Sequence, residues 1–191
     1  MEASKNTEHR FKCDKNMAQT LGCLDFSASP PTRRAAHAWC RVAAPCIAEF
    51  NGALMITLTV ALTNRTDAGF AAQNSLAPLA MGAILTSMIY AYGHIGGGHF
   101  NPAVSVAVFM RGKISLGTLV AWSVFQVAGA VCGGQAAASV IGSSNLPRLS
   151  WNSSVSTGGA FLLEFLFTYA LCATVLNTTT TASLTGNQFY G

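Results

Sequence analysis

Apolar positions gather in four stretches of the chain, about Ala44 to Thr63, Ala77 to Ile95, Leu116 to Ile141 and Gly159 to Asn177. Each has a length and composition compatible with a transmembrane helix. Glu49 and Glu164 are the charged positions within them. No Asp, Glu, Lys or Arg occurs between Asp67 and Arg111 or between Lys113 and Arg148, and both gaps exceed the ~20 apolar residues that cross a bilayer core. Between the second and third stretches lies a surplus, GHIGGGHFNPAVSVAVFM from Gly93 to Met110. It is uncharged and ends apolar, yet Gly96, Gly97, Gly98 and Pro102 would break any continuous helix.

The break is explained if Asn101 is an N-cap and Pro102 the first helical residue, since Asn satisfies free N–H groups and Pro lacks the one that is not needed. The helix then runs from Pro102 to about Met110. At ~1.5 Å per residue it is roughly 14 Å long, about half of a ~30 Å hydrocarbon core. It is a half-helix starting near the midplane, and irregular backbone at that depth is tolerated only where it is buried in protein or lines a water-filled cavity. The glycine loop therefore points to a pore or a binding site. The alternative is that Asn101, Pro102 and Ala103 merely start a core helix.

Composition removes other classes. Only 9% of the residues are charged, against roughly a quarter in a soluble domain. The net charge of +4 does not indicate a nucleic-acid partner, because seven of the eleven basic residues and four of the seven acidic ones precede Ala43. Residues 1–43 lack the apolar core of a signal peptide, carry too many acids for a mitochondrial transit peptide, and read as a disordered cytosolic tail. Cys132 and Cys172 fall inside apolar runs, and the other four cysteines show no metal-type spacing, so all six read as packing residues or free thiols. His94 and His99 flank the glycines without a nearby Cys or carboxylate, which gives no metal site. No cofactor and no catalytic constellation is expected.

If the half-helix enters and leaves on one face, that face holds nine Lys and Arg, against Arg65 and Arg148 on the other. The positive-inside rule makes it cytoplasmic. The sequons at Asn64 and Asn152 then fall outside, and a third at Asn177 faces the cytosol.

The run GHIGGGHFNPAVSVAV, with AEF at Ala48 to Phe50, FQVAGAVCGG around Gln126 and LLEFLFTYAL around Glu164, resembles the aquaporin, or major intrinsic protein, family. The resemblance covers about Ala43 to the C-terminus. It implies an all-α membrane protein, an aquaporin-like right-handed helix bundle of two inverted repeats with an Asn-Pro-Ala box at the tip of each half-helix. This sequence resembles the first repeat plus the first helix of the second. It holds one Asn-Pro-Ala box, and the pore-lining Arg expected after a second box is absent. A truncated fragment, incomplete and inactive as an isolated chain, is the expectation, with a natural short form as the alternative.

The resemblance implies roles for particular residues. Asn101, Pro102 and Ala103 form the box, and the Asn101 amide donates to a passing oxygen beside the positive helix terminus. Backbone carbonyls of Gly96, Gly97, Gly98 and His99 form a ladder of acceptors leading water inward. Glu49 and Glu164, costly in apolar helices, support the two re-entrant loops; a proton-carrying pair is the alternative. Met81 takes the filter position of the second helix, where it could widen the pore for glycerol, ammonia or urea, or simply pack. Gly129 and Gly133 form a GxxxG that lets helices approach.

The function implied is a passive channel for water and small neutral solutes such as glycerol, in a plasma or vacuolar membrane, with a homotetramer as the family's assembly and the lipid bilayer as surroundings. The alternatives are a non-conducting half-channel module that regulates or joins a full-length relative, and an ion-coupled transporter built on broken helices. The topology makes a direct prediction. A cysteine introduced by Lys113→Cys should stay unreactive to an impermeant thiol reagent in intact cells and react after permeabilisation, whereas labelling of intact cells would overturn the half-helix.

Overall fold

A computed structural model describes residues 30–65, 76–147 and 155–181, with side chains from Val42 onward. Every long element within them is helical: α1 (Pro30–Thr63), α2 (Ala77–Gly96), α3 (Pro102–Met110), α4 (Leu116–Ile141) and α5 (Thr157–Thr179), with a 3-10 turn at Ser143–Asn145. Four of them contain spans long and apolar enough to cross a membrane: Val42–Thr63, Ala77–Gly96, Leu116–Ile141 and Thr157–Thr179. The protein is an all-α bundle of the expected class.

The chain divides at Ala44 into two units. The first is described only from Pro30, and there it is helical. Residues 30–43 were expected to belong to a disordered tail; the helix is the observed difference. Two prolines fit the first turn, and the Ala-rich, glycine-free run that follows favours helix without being apolar enough to read as a span. Residues 1–29, Arg148 and the sequon at Asn152 lie outside the described residues, as do residues 182–191.

The second unit, from Pro45, carries the rest. Its helix ends are set by local chemistry. Ser115 Oγ accepts the Thr118 N–H at 3.1 Å to cap α4, and Ser156 Oγ accepts the Gly159 N–H at 3.1 Å to cap α5. Hydroxyls inside the spans are satisfied within their own helices: Thr59 donates to the Met55 carbonyl, Ser139 to that of Gln135 and Thr174 to that of Ala170. Such bonds let a polar side chain sit in an apolar helix without seeking a distant partner.

Two of the helices pack backbone to backbone. In α4 the buried residues are Gln126, Gly129, Gly133 and Ala137, a stripe at helical spacing. It lies against α1. A Cβ on Gly129 would strike the Phe50 carbonyl oxygen, and one on Gly133 that of Leu54. The two backbones are therefore in direct contact, as small-xxx-small pairs permit. Gly96, at the end of α2, packs against α1 in the same way, its missing Cβ lying 3.1 Å from the Pro45 carbonyl oxygen. The half-helix α3 packs on α4 and α5. By contrast α5 has no buried residue, and Phe161, Leu162, Leu163, Phe165, Leu166, Phe167 and Tyr169 are all exposed.

The glycine contact generates a paired prediction. Gly129→Ala and Gly133→Ala each force a methyl group into main chain and should cost about 1–3 kcal/mol. Gly134→Ala has nothing within 4 Å of the added carbon and should be neutral or slightly stabilising through helix propensity. Thermal unfolding of the purified chain in detergent, read by circular dichroism, should show the first two melting below the parent and the third not.

Candidate functional site

The site begins where α2 stops. Gly97, at φ 91°, closes α2 by donating its N–H to the Gly93 carbonyl at 2.9 Å. Gly98 follows at φ 69° and Phe100 at φ 50°. Two successive left-handed residues suit glycine; Phe100, which carries a Cβ, is held there against its preference. Its surroundings supply the restraint. Its N–H donates to Glu49 Oε2 at 2.6 Å, and its ring fills the space left by Gly52, where any Cβ would overlap it. Phe100 is 6% exposed and Gly52 is buried.

Glu49 is the hub. Its side chain is completely buried. Oε1 accepts the His99 N–H at 3.0 Å, while Oε2 accepts the Phe100 N–H and a hydrogen from Gln126 Nε2 at 2.7 Å. One carboxylate on α1 thus takes up two consecutive loop amides and a side chain of α4. Burial of such a group is tolerable because its acceptor sites are met by donors. Gln126 Nε2 also donates to Ser105 Oγ at 3.0 Å, and Ser105 Oγ lies 3.0 Å from His99 Nδ1. The His99 ring stands edge-on to Trp122, with centroids 4.9 Å apart.

From this anchored loop the half-helix starts. Asn101 has extended backbone, φ −149° and ψ 127°, and its Oδ1 accepts the Ala103 N–H at 2.8 Å. Pro102 occupies the first helical position. The cap consumes the carbonyl of the Asn101 side chain, and its Nδ2 has no hydrogen-bond partner among the described residues. The N-terminal end of α3 thus presents an unengaged N–H2 group beside the positive pole of the helix.

A cavity of about 400 Å3 adjoins the loop, walled by Gly97, His99, Val108 and Lys113 and by the run Thr179 to Thr181 at the end of α5. Gly96 and Gly98 are buried beside it. The other sequence-derived candidates lie elsewhere. Met81 is half-buried on α2 and lines neither described cavity. Glu164 is exposed on α5, in a shallow apolar depression with Phe161, Phe165 and Tyr169, and has no hydrogen-bond partner among the described residues. The structure brings Glu49, the glycines, His99 and Asn101 together and leaves Met81 and Glu164 apart.

Three residues of the site were not singled out for a role in the sequence: Gln126, Ser105 and Trp122. The signal available was an amide in an otherwise apolar span and a serine one turn after the cap. Among the described residues no cluster of three or more metal-ligating side chains occurs.

The geometry can be set beside known proteins. The sequence model of the family described as major intrinsic protein matches residues 37–188. The chain belongs to the major intrinsic protein family. Among relatives, glycerol uptake facilitator protein-like 6 of Lactiplantibacillus plantarum is 31% identical over 111 residues, covering 53% of this chain and 49% of the relative. Aquaglyceroporin AqpS of Rhizobium meliloti is 32% identical over 136 residues, 69% of this chain and 57% of the relative. Aquaporin-4 of Mus musculus is 32% identical over 105 residues, 52% of this chain and 32% of the relative. The chain spans about half the length of the first two and a third of the last. Major intrinsic proteins are channels rather than enzymes, and this one is a multi-pass membrane protein.

The hub predicts a large effect of one truncation. Glu49→Ala strips the acceptor from the His99 and Phe100 amides and from Gln126, and each buried donor left unmet costs about 1–3 kcal/mol. Hydrogen exchange by mass spectrometry should show the segment 97–101 exchanging much faster in this variant than in the parent. Unchanged protection would mean that the loop is held by other contacts.

Proposed function

We propose that this chain forms the first half of a passive transmembrane pathway for water and small neutral solutes such as glycerol. The observation that carries the reading is the free Nδ2 of Asn101 at the head of α3. A side chain whose oxygen is fixed by the helix must turn its donors outward, toward whatever passes the helix terminus. The half-positive charge of that terminus adds to the donors, favours an oxygen lone pair and repels a cation. The cavity beside Gly97 and His99 is the inner approach to this point, and the loop carbonyls are the acceptors along it. The Rhizobium relative is named an aquaglyceroporin and the Lactiplantibacillus one a glycerol uptake facilitator, which supports a neutral solute here.

On this reading the 191 residues supply one of two facing half-helices, and the exposed apolar face of α5 is covered by further helices in the conducting form. Glu164 then finds its donors in the second re-entrant loop, Met81 borders the pore on the outer side, and protomers assemble as tetramers. By itself the chain conducts nothing. The charge on the tail and at Arg111 and Lys113 sets these segments in the cytosol, in a plasma or vacuolar membrane.

The test uses the chain completed by the second half of the Rhizobium aquaglyceroporin and reconstituted in vesicles. Asn101→Asp keeps the cap and the size but replaces the donor by a carboxylate, lowering the cost of a cation at the midplane by roughly a few kcal/mol. Osmotic swelling should persist and cation conductance should rise. Unchanged ion conductance in properly inserted protein would show that Asn101 does not face the solute path.

A further inference from the structure

The buried polar atoms around Glu49 admit two proton arrangements, and they end in opposite states of His99. In the first, Gln126 Nε2 donates one hydrogen to Glu49 Oε2 and the other to Ser105 Oγ, across 2.7 Å and 3.0 Å. Ser105 Oγ must then hand its own hydrogen to His99 Nδ1, 3.0 Å away. No other acceptor is available among the described residues: unlike Thr59, Ser139 and Thr174, Ser105 makes no bond to the carbonyl four residues back. His99 is thereby the neutral imidazole with its hydrogen on Nε2. In the second arrangement the Gln126 amide is turned over, Glu49 carries a proton and gives it to Gln126, Ser105 donates to Gln126, and His99 donates from Nδ1.

Two observations separate them. Glu49 Oε2 already receives the Phe100 N–H at 2.6 Å, so a hydroxyl hydrogen on that oxygen would crowd an amide hydrogen. Either arrangement also strands one fully buried group. In the first it is Gln126 Oε1, the one fully buried side-chain polar atom without a partner among the described residues; in the second it is an N–H2 with two hydrogens. An unmet buried carbonyl is the commoner and cheaper defect. The first arrangement therefore stands.

We infer that Gln126 and Ser105 are positioning residues that relay the acceptor character of Glu49 to His99 and hold its ring with the hydrogen on Nε2. That atom lies on the side of Gly97, whose missing Cβ would stand 3.2 Å from it, and His99 and Gly97 share a wall of the cavity. Nε2 has no partner among the described residues. The loop thus offers a solute a side-chain donor among its backbone acceptors, and Nδ1, engaged by Ser105, is closed to a second proton. This deepens the proposed pathway and rests on it for the identity of the solute, but the tautomer itself does not depend on conduction.

The test is 15N magic-angle-spinning NMR of the full chain, labelled on histidine and reconstituted in lipid bilayers, with the His99 signals identified by their loss in His99→Asn. The parent should show a protonated-type Nε2 and a bare-type Nδ1 at neutral pH, in roughly two- to tenfold excess over the other tautomer, as one net hydrogen bond sustains. Ser105→Ala should release Nδ1, giving a mixture of tautomers or a ring that takes up a second proton on mild acidification. Ser105→Thr, which keeps the hydroxyl, should restore the parent spectrum. A hydrogen on Nδ1 in the parent would overturn the inference, as would an unchanged tautomer ratio in Ser105→Ala. If that variant does not fold, the parent spectrum alone decides. No flux is measured, so failure of the channel reading and failure of this one are separate results.

Discussion

A main chain that turns back inside a bilayer brings its own amides with it, and lipid offers them nothing. That constraint organises this protein. Lone N–H groups in hydrocarbon cost several kcal/mol each, so the loop before α3 exists only because α1 carries a carboxylate at the right height. Glu49 answers two consecutive amides and is steadied by Gln126. The cost of burying the acid and the cost of burying the loop offset one another, which is why neither could be kept without the other.

The same constraint explains three glycines of the transmembrane region, Gly52, Gly129 and Gly133. For Glu49 to meet Gln126, α1 and α4 must lie closer than ordinary side chains allow. Gly129 and Gly133 remove the obstacle where the helices touch, and Gly52 removes it where Phe100 enters. These positions carry no chemistry of their own. They set the distance at which chemistry becomes available, and a single methyl group at any of them works against the whole hydrogen-bonded cluster.

Much of the architecture could be read along the chain because the signals are local. Apolar stretches long enough to cross a bilayer give the spans, two of them wholly uncharged, and Asn101 followed by Pro102 marks a helix start in the middle of an apolar run. The motif around it resembles the family to which the chain belongs. What could not be read are meetings between distant residues. The contact of Glu49 with Gln126 joins positions 77 apart, and that of Phe100 with Gly52 has no periodicity to announce it. Helicity from Pro30 to Ala43 was missed for another reason: hydropathy detects passage through lipid, and an Ala-rich, Arg-bearing segment can be helical without it. Glu164 shows the converse, an acid conspicuous in the sequence whose surroundings in these residues remain open.

The position of Gln126 in the chain also imposes an order on synthesis. Glu49 emerges first, the loop amides about fifty residues later, and the α4 amide that steadies the carboxylate later still. While the ribosome is between Phe100 and Gln126, the loop has one of its two supports and Ser105 lacks its neighbour. The hydrogen-bonded cluster around the re-entrant segment is therefore completed only when α4 has been delivered. Its final seating is a late event, set by the passage of a helix that lies downstream of it.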